Sequence, residues 1–547
     1  MDSTPQSRDG SVAAAIDHPD QLDGIDPHVY QRRWKTLAVL CGSLMIVIIG
    51  NTVLNVALPT MSRPDQLGAS NTELQWFVDA YALVFAGLLF TAGALGDRFG
   101  RKGALQIGLV VFGLGSLFGS MADSSAQVIM ARAIMGVGAA FVMPSTLSIL
   151  TNVFPTRERA KAIAIWAGIS GAGAAIGPLA SGLLLEHYWW GSVFLINIPI
   201  IAVAFIAGVV LVPKSKDRTA TPLDPVGAVL SIVGMTSLIY AIIEGPSHGW
   251  LSVESLIWFG AAVLALGLFV AWESHTPHPM LDLKLFKDRR FAVASGGISL
   301  VFFAMFGTFY MMTQYLQFVL DYTPLGAAVR LLPLSAVLMA VAPQTPKLVG
   351  RFGADRVAAS GLGLVALALA LVSTLGQSTP YWYLLITVMI LAAGMAMTMT
   401  PMTTQLMTSV PRDRAGMGSA MNDTTRELGG ALGVAVLGSL VTSQYTAGVS
   451  GVTSQLPAQA REVAEASIGG VHGLIDAGVL PVEAAQTLLS TAKEAFVDGL
   501  GLAATAAAVI VGLTAIAVLK LLPSDRRNPA ITGEAERVTI TPDYAES

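Results

Sequence analysis

The sequence is poor in the residues that redox, metal and nucleotide chemistry require. It has one cysteine among 547 residues, Cys41, so no disulfide can form within the chain. Its seven histidines show no HExxH or other metal-ligand spacing, and no GxxxxGK(S/T) phosphate-binding loop occurs. We therefore expect no metal, no cofactor and no ATP-driven step, and no motif predicts an enzyme.

Charge is scarce as well. Asp, Glu, Lys and Arg make up 12% of the residues and apolar residues 53%, whereas soluble domains are about a quarter charged. The mean hydropathy is +0.64. The net charge of −4 identifies no partner, and we expect membrane lipids and small molecules, not nucleic acid, to be the partners. This composition predicts a polytopic membrane protein.

Long apolar runs dominate the sequence. Roughly 26 lysines and arginines fall on one side of these runs and about 3 on the other, so the positive-inside rule places both termini in the cytoplasm. The first run has no signal-peptide cleavage pattern after it and is expected to remain as a span. About fourteen runs are long enough to cross a membrane as helices: residues 35–59, 74–95, 103–122, 126–150, 161–185, 193–212, 224–244, 254–272, 291–316, 325–346, 353–375, 381–403, 415–442 and 496–521.

An internal repeat divides the chain. Residues 138–159 resemble residues 394–414, since each stretch is rich in Gly and Met, has a mid-helix proline and continues to a second proline and two arginines. RFGADR at 351–356 likewise echoes GDRFGRK at 96–102. We expect two related six-helix bundles, and transporters built from repeats bind their substrate between the halves near the midplane. The predicted divisions are a cytoplasmic tail (1–34), a first six-helix bundle (35–212), a linker with spans 7 and 8 (213–290), a second six-helix bundle (291–521) with an extracytoplasmic loop (443–495), and a cytoplasmic tail (522–547).

The connection between the second and third spans carries a specific motif. It reads GALGDRFGRK, residues 93–102, and its glycines allow a tight turn and a close helix approach. The carboxylate of Asp97 can cap the N-terminus of a neighbouring helix and hold Arg101.

Two further motifs lie in the spans that follow. Arg132 stands alone in the fourth span, where a buried arginine is costly and usually faces a cavity or a carboxylate. The fifth span reads GAAIGPLASG at 173–182. Its small residues let helices touch closely, and Pro178 introduces a bend.

In this order the motifs resemble those of the fourteen-span drug:proton antiporters of the major facilitator superfamily, most closely the bacterial multidrug exporters for quaternary ammonium compounds and dyes. The resemblance implies the major facilitator fold, an all-α polytopic membrane protein with two six-helix bundles and two extra central helices. It implies a monomer in the bacterial cytoplasmic membrane. It also implies proton-coupled efflux of lipophilic drugs, dyes or antibiotics by alternating access.

The resemblance assigns roles to the motif residues. It implies a conformational latch on the cytoplasmic side, an antiporter motif on the fifth span and a link between Arg132 and proton transfer. Two acids of the relatives are missing, because Gly50 and Leu338 stand at their positions. The implied latch residues are Gly93, Asp97, Arg98, Gly100, Arg101 and Lys102, and the implied antiporter-motif residues are Gly173, Gly177, Pro178 and Gly182.

Few carboxylates remain within the spans. Asp79 lies in the second span, and Asp423 and Glu427 lie four residues apart on one face of the thirteenth. A carboxylate in a low-dielectric cavity can hold a proton near neutral pH and release it when a cation arrives. We therefore expect these acids, together with Arg132, to couple protons to transport. Other interpretations stay open. The two acids of the thirteenth span could form a self-contained ion-pair cluster with Arg426, Asp79 could be an interfacial cap, and Arg132 could serve packing alone by binding a carbonyl.

Adaptable side chains are expected to line the cavity. Methionines repack around different shapes and aromatic rings stack on organic cations, a combination that favours broad specificity, although Met-rich helices are also typical of ordinary packing. With Gly50 and Leu338 in place of acids, monovalent cations or neutral amphiphiles are favoured over dications. The predicted substrate-binding residues are Asn51, Asn55, Trp76, Asp79, Phe306, Phe309, Tyr310, Gln314, Met399, Asp423, Arg426 and Glu427.

Two other functions remain open. One is a dedicated exporter of a single metabolite, antibiotic or lipid, which a panel of unrelated substrates would separate from a multidrug exporter. The other is a non-transporting membrane sensor or scaffold on the same fold, and the charged residues retained within the spans speak against it. Glu244 and Asp321, near the outer ends of spans, are expected to be interfacial.

Overall fold

The computed structural model describes residues 22–61, 66–69, 71–215 and 224–523. Most of both predicted tails and part of the predicted linker, 216–223, lie outside the described residues. Helices make up nearly all of this described part, and it contains no strand. Helices satisfy their own backbone hydrogen bonds, which is the requirement for crossing a lipid core without water.

The long helices set the architecture. Several shorter helical segments join them: Ser192–Leu195 precedes α6, Leu283–Lys287 precedes α9, Tyr315–Val319 continues it, Ala342–Gln344 and Thr345–Phe352 continue α10, and Arg412–Arg414 precedes α13. The long helices are α1 (Pro27–Met61), α2 (Asn71–Phe99), α3 (Arg101–Ser120), α4 (Ser125–Val153), α5 (Thr156–His187), α6 (Asn197–Leu211), α7 (Pro225–His248), α8 (Val253–His275), α9 (Arg289–Gln314), α10 (Pro324–Val341), α11 (Ala354–Val372), α12 (Tyr381–Thr408), α13 (Ala415–Thr453) and α14 (Val482–Leu521).

Thirteen helical segments of the described chain are long and apolar enough to cross a membrane. Helix α5, at the place of the predicted span 161–185, has 32 residues but is not among these thirteen. The count of fourteen spans therefore stays a prediction.

The region predicted as the loop 443–495 is largely helical. Helix α13 continues to Thr453 and α14 begins at Val482, and the short helices Ala458–Ala466 and Ile468–Asp476 lie between them. The Thr453 hydroxyl donates a 2.5 Å hydrogen bond to Glu465, which ties the end of α13 to the first short helix. The predicted spans 415–442 and 496–521 lie within these two longer helices, because falling hydropathy marks where a helix leaves the lipid and not where it stops.

The helices pack in two sets of counterpart pairs. Helix α1 packs on α5, and α4 packs on both α2 and α3. In the same way, α9 packs on α13, and α12 packs on both α10 and α11. Helices α7 and α8 pack on each other, and α7 also contacts α2 and α13. These pairings have the symmetry that the sequence repeat implies, while the exact domain boundaries stay predictions.

The two sets meet along four helix contacts. Helix α13 packs against α2 and α4, and α5 packs against α10 and α12. A Cβ atom at Gly93 would lie 2.8 Å from the carbonyl oxygen of Gly416, so the crossing of α2 and α13 requires a residue without a side chain. Asp97, Arg101 and Arg426 make contacts across this interface.

Candidate functional site

The loop between α2 and α3 caps a helix of the other set. The Asp97 carboxylate accepts hydrogen bonds from the backbone N–H of Gly416, 2.8 Å to Oδ2, and of Met417, 3.2 Å. Both N–H groups belong to the first turn of α13, where backbone donors lack partners and the helix dipole favours a negative charge. Asp97 also accepts a 2.7 Å bond from Nε of Arg101.

Arg101 extends the same contact. Its Nη2 donates to the carbonyl oxygens of Arg412, 3.0 Å, and Asp413, 2.8 Å, just before α13. The planar guanidinium, 2% exposed, can therefore serve the carboxylate and two carbonyls at once. Asp97 and Arg101 together join α2 and α3 to α13, and we call this end of the molecule the latch end.

The other residues of the loop motif shape the turn or contact nearby groups. Gly100 has φ 122°, a conformation that favours glycine, and α3 begins at the next residue. Lys102 donates a 2.6 Å hydrogen bond to the carbonyl of Val209 in α6. The Arg98 guanidinium lies 5.5 Å from the ring centroid of Phe99.

A residue that the motifs did not predict caps α5 at the same end. Asp23 Oδ2 accepts hydrogen bonds from the backbone N–H and the hydroxyl of Thr156, each 2.6 Å. It also accepts a 2.9 Å bond from Arg412 Nη2. Partial burial raises the pKa of Asp23. The hydrogen bonds from Thr156 and Arg412 lower it by more, so the pKa lies below its ordinary value. Asp23 therefore joins α5 to the segment that precedes α13.

Asp23 also interacts with a second arginine. Arg159 in the first turn of α5 is 5% exposed. It is repelled by Arg412 and attracted by Asp23. Loss of the Asp23 charge would leave the two guanidinium groups opposed.

Arg132 is fully buried and bonded to oxygen atoms of α1 and α2. Its Nε donates to the carbonyl of Phe77, 2.7 Å, its Nη1 to the carbonyl of Gly50, 3.0 Å, and its Nη2 to Oδ1 of Asn51, 3.2 Å. Its guanidinium also lies 4.4 Å from the ring centroid of Tyr81. None of these partners is a carboxylate, so the contacts match the packing interpretation, and a role in proton transfer stays a prediction.

Asp423 and Arg426 form a loose buried ion pair on α13. Asp423 is 1% and Arg426 8% exposed, yet Arg426 Nη1 lies 3.6 Å from Asp423 Oδ1. Asn422 donates a 3.2 Å bond to that same oxygen. Among the described residues, Arg426 Nη1 and Asp423 Oδ2 have no hydrogen-bond partner. Glu427 interacts electrostatically with both residues. A buried pair compensates for its lost hydration only with close geometry and filled hydrogen bonds, so the ion-pair interpretation holds in part.

The Arg426 guanidinium lies over two aromatic rings. Its Cζ lies 5.5 Å from the ring centroid of Trp166 in α5 and 4.6 Å from that of Phe302 in α9. Neither ring was among the predicted site residues. The available signal was a tryptophan within the Gly- and Ala-rich fifth span, where a large ring needs a partner from another helix.

Asp79 lies beside a second acid. It is 9% exposed, and its carboxylate and that of Glu244 in α7 repel each other. The Gln75 amide donates a 3.3 Å bond to Glu244, and the Trp76 ring lies 6.2 Å from that of Tyr240. The structure thus brings Asp79 and Trp76 together with α7, and Glu244, predicted to be interfacial, belongs to this group.

The remaining predicted substrate residues lie on α1, α9 and α12. Phe306 and Tyr310 pack on glycines of α13, because a Cβ at Gly430 would lie 3.1 Å from Phe306 and one at Gly438 3.3 Å from Tyr310. The side chain of Asn55 lies outside what the structure describes. Met399 on α12 is buried, and Phe309 and Gln314 on α9 are half-buried.

The antiporter motif brings α5 close to two helices. A Cβ at Gly173 would lie 3.1 Å from Ile48, and one at Gly177 would lie 3.0 Å from Cβ of Thr52, both in α1. At Gly182 it would lie 3.5 Å from Leu325 in α10. Pro178 is inside the helix. The glycines therefore allow the close contact between α1 and α5 that the motif predicts.

Counterpart helix pairs on two sides of an interface, with the loop of one side capping a helix of the other, define the class of helical transporters built from repeats. The family model of the Major Facilitator Superfamily matches residues 40–434. The chain belongs to this superfamily, and the family that its motifs predict is confirmed.

Relatives of similar length support the same family. The multidrug efflux pump LfrA of Mycolicibacterium smegmatis is 36% identical over 489 residues, which cover 89% of this chain and 96% of that protein. The methyl viologen resistance protein SmvA of Salmonella typhimurium is 34% identical over 506 residues, 91% of this chain and 100% of that protein. The tetracenomycin C resistance and export protein of Streptomyces glaucescens is 32% identical over 512 residues, 90% and 93% of the two chains.

Solved structures share the fold. The human organic anion transporter MFSD10 superimposes with a TM-score of 0.56 at 12% identity, covering 89% of this chain and 99% of that one. A bacterial homologue of the human lysosomal transporter Spinster, solved in an inward-facing and unoccupied conformation, gives a TM-score of 0.53 at 18% identity, with 90% and 97% covered. The predicted major facilitator fold is confirmed.

Proposed function

We propose that the protein exports lipophilic drugs, dyes or antibiotics across the bacterial cytoplasmic membrane in exchange for protons, as a monomer with both termini in the cytoplasm. One observation carries this proposal: the charged groups of Asp423 and Arg426, which are buried, and of Glu427, which is half-buried, lie together on α13, next to helices of the other set. Two of the similar proteins are named for efflux or export and a third for methyl viologen resistance, which supports drugs as the substrate class.

Proton and drug would compete for the same carboxylates. When Asp423 and Glu427 are ionised, they attract a cation into the interface, and protonation of either removes part of that attraction. A ligand shifts a conformational equilibrium only through its differential affinity for the two states. Proton binding from outside would therefore release the drug and favour the return of the carrier.

The contacts at the latch end support the proposal that this conformation is closed toward the cytoplasm. Asp97 and Arg101 hold α13, and Asp23 holds both Thr156 and Arg412. If this end faces the cytoplasm, as the lysine and arginine distribution predicts, these contacts close the cytoplasmic entrance. Opening toward the cytoplasm would then require all of them to break.

Everted membrane vesicles that contain the protein test the proposal. Acidifying the vesicle interior should drive uptake of ethidium, and a protonophore should abolish that uptake. Asp423→Asn and Glu427→Gln should each reduce the proton-driven uptake to near background, whereas Asp321→Asn, at the outer end of α9, should retain it. Uptake that survives the protonophore, or that both α13 variants leave intact, would contradict proton antiport through these residues.

A dedicated exporter of one antibiotic is the second candidate, and the relative named for tetracenomycin C favours it. Competition separates the two. Mutual inhibition among unrelated drugs supports multidrug export, and transport of a single compound with no competition from the others supports dedication.

A further inference from the structure

The Arg426 guanidinium lies in a box of two rings and two acids. Phe302 and Trp166 face it at 4.6 Å and 5.5 Å. Asp423 Oδ1 lies 3.6 Å from its Nη1, and Glu427 interacts with it electrostatically. Aromatic faces and carboxylates are the groups that bind organic cations in proteins.

The walls of the box are held in place by their own contacts. The Trp166 indole is 1% exposed and donates a 3.2 Å hydrogen bond to the Thr146 hydroxyl. Phe302 is 3% exposed and is stacked on Phe306 with centroids 5.9 Å apart. Rings fixed in this way are available to a cation without further ordering, which lowers the entropic cost of binding.

Arg426 fills this box poorly. Its Nη1 has no hydrogen-bond partner among the described residues, and neither has Asp423 Oδ2. A guanidinium depends on hydrogen bonds for much of its stabilisation when buried. A planar or quaternary organic cation has few or no donors to satisfy, so the same box costs it less.

We infer that Arg426 is a resident cation, which occupies the box of Trp166, Phe302, Asp423 and Glu427 until an organic cation displaces it. This inference rests on the proposed function, because it concerns the substrate of the same interface. Arg426 then sets specificity, since only a cation that stacks between the rings better than the guanidinium does can replace it. Trp166 and Phe302 are the residues that select such cations.

The two rings also connect the box to the conformational cycle. Trp166 belongs to α5 and Phe302 to α9, which lie in different predicted halves. Any rocking of one half against the other changes the separation of the rings, and cation–π attraction falls off beyond about 6 Å. The displaced arginine can therefore re-enter as the rings separate and the substrate leaves.

Binding of ethidium to the purified protein, measured by fluorescence anisotropy, tests this competition. Arg426→Gln should tighten binding roughly tenfold, because the internal competitor is gone. Loss of a positive charge alone would also attract a cation, so Arg426→Lys is the decisive variant. It keeps the charge but lacks the planar group that stacks on rings, and it should tighten binding about threefold.

Two further variants identify the box. In the Trp166→Leu background, Arg426→Lys should no longer tighten binding, because the ring that substrate and arginine share is absent. Arg330→Gln is the matched control, since Arg330 also lies over a ring, 3.7 Å from the centroid of Tyr322, but outside the box. It should leave ethidium binding unchanged within about twofold.

The binding and transport results distinguish failure of this inference from failure of the proposed function. Unchanged or weaker ethidium binding by Arg426→Lys, or a gain from Arg426→Lys that persists without Trp166, overturns the inference and leaves drug export standing. The same holds if vesicles transport a neutral drug while neither ethidium nor tetraphenylphosphonium binds the wild type or any variant. Vesicles that transport no drug at all refute the proposed function instead.

Discussion

The two copies of the loop motif share a turn and differ in their charges. Gly100 and Gly353 both have positive φ, 122° and 92°, and a helix begins directly after each. These backbone angles favour glycine, so the repeat in the sequence is a repeat of one turn. At the positions of Asp97 and Arg101, however, the second copy has Gly350 and Ala354.

The difference in charge decides which helix N-terminus the loop motif can cap. The first copy caps α13 through Asp97. The counterpart of α13 is α5, and its first turn is capped by Asp23, which lies outside the repeat. The closing contact is therefore a property of individual acids and not of the turn. The two caps also differ in burial, since the Asp97 side chain is 11% exposed and the Asp23 side chain 33%.

The largest expected effect is that of Asp97→Ala. It uncaps α13 and leaves the Arg101 guanidinium buried without its counter-charge, a change that costs about 3–5 kcal/mol in buried ion pairs. Drug efflux in cells, corrected for the amount of protein in the membrane, should fall to background. Asp355→Ala in the second copy should change it by about fivefold or less, because the helix-terminus charge it removes is worth only about 0.3–1 kcal/mol. Equal losses from both variants would show that the copies do not differ in function.

A smaller loss is expected for Arg101→Lys. An ammonium can keep the charge near Asp97 but cannot also reach both carbonyls before α13. The loss of one or two hydrogen bonds from a charged donor, about 1.5–3 kcal/mol each, should reduce efflux roughly tenfold or more. Arg351→Lys in the second copy is the control, and a similar loss there would argue against the one-sided latch.

Asp23→Asn should have a smaller effect still. Partly exposed ion pairs are worth about 0.2–1 kcal/mol, so efflux should fall by roughly two- to fivefold. A loss of efflux as large as that of Asp97→Ala would mean that the caps on α5 and α13 contribute equally to transport.

The smallest expected effect is that of pH on the Asp23 cap. Because its hydrogen bonds lower the pKa of Asp23, the contribution of the cap is fully present above the ordinary Asp range, about pH 4, and is lost as the pH falls through the lowered value. The ratio of wild-type to Asp23→Asn transport in vesicles should therefore be constant from about pH 5.5 to 8. A ratio that changes across this pH range would contradict an Asp23 cap that stays charged throughout it.

The sequence allows the latch end to be predicted in part, and physical reasons explain the rest. The contacts of Asp97 and Arg101 follow from a local pattern, because Gly100 fixes the turn and an acid just before it can reach one helix terminus. Asp23 precedes the first apolar run, where no periodicity constrains what it meets. The α13 and α14 extensions are polar helix, which hydropathy does not detect.

The aromatic box could not be predicted for a different reason. Trp166 and Phe302 come from helices far apart in the sequence, and each reads as an ordinary apolar residue in its own span. Only the packing of α5, α9 and α13 brings them to Arg426. Asp79 lies near Glu244, a proximity that depends on the extra helix α7 and that no local pattern indicates. The proton-coupling task that Asp79 is predicted to share with Asp423 stays a prediction.

Proton flux in proteoliposomes tests proton-coupled drug export most directly. With an imposed pH gradient and a pH-sensitive dye inside, adding ethidium should collapse the gradient through the wild-type protein. Asp423→Asn and Glu427→Gln should abolish the collapse, while Asp321→Asn retains it. A gradient that no tested drug collapses through the wild type, or that drugs collapse equally through both α13 variants, would contradict exchange of protons for drugs at this site.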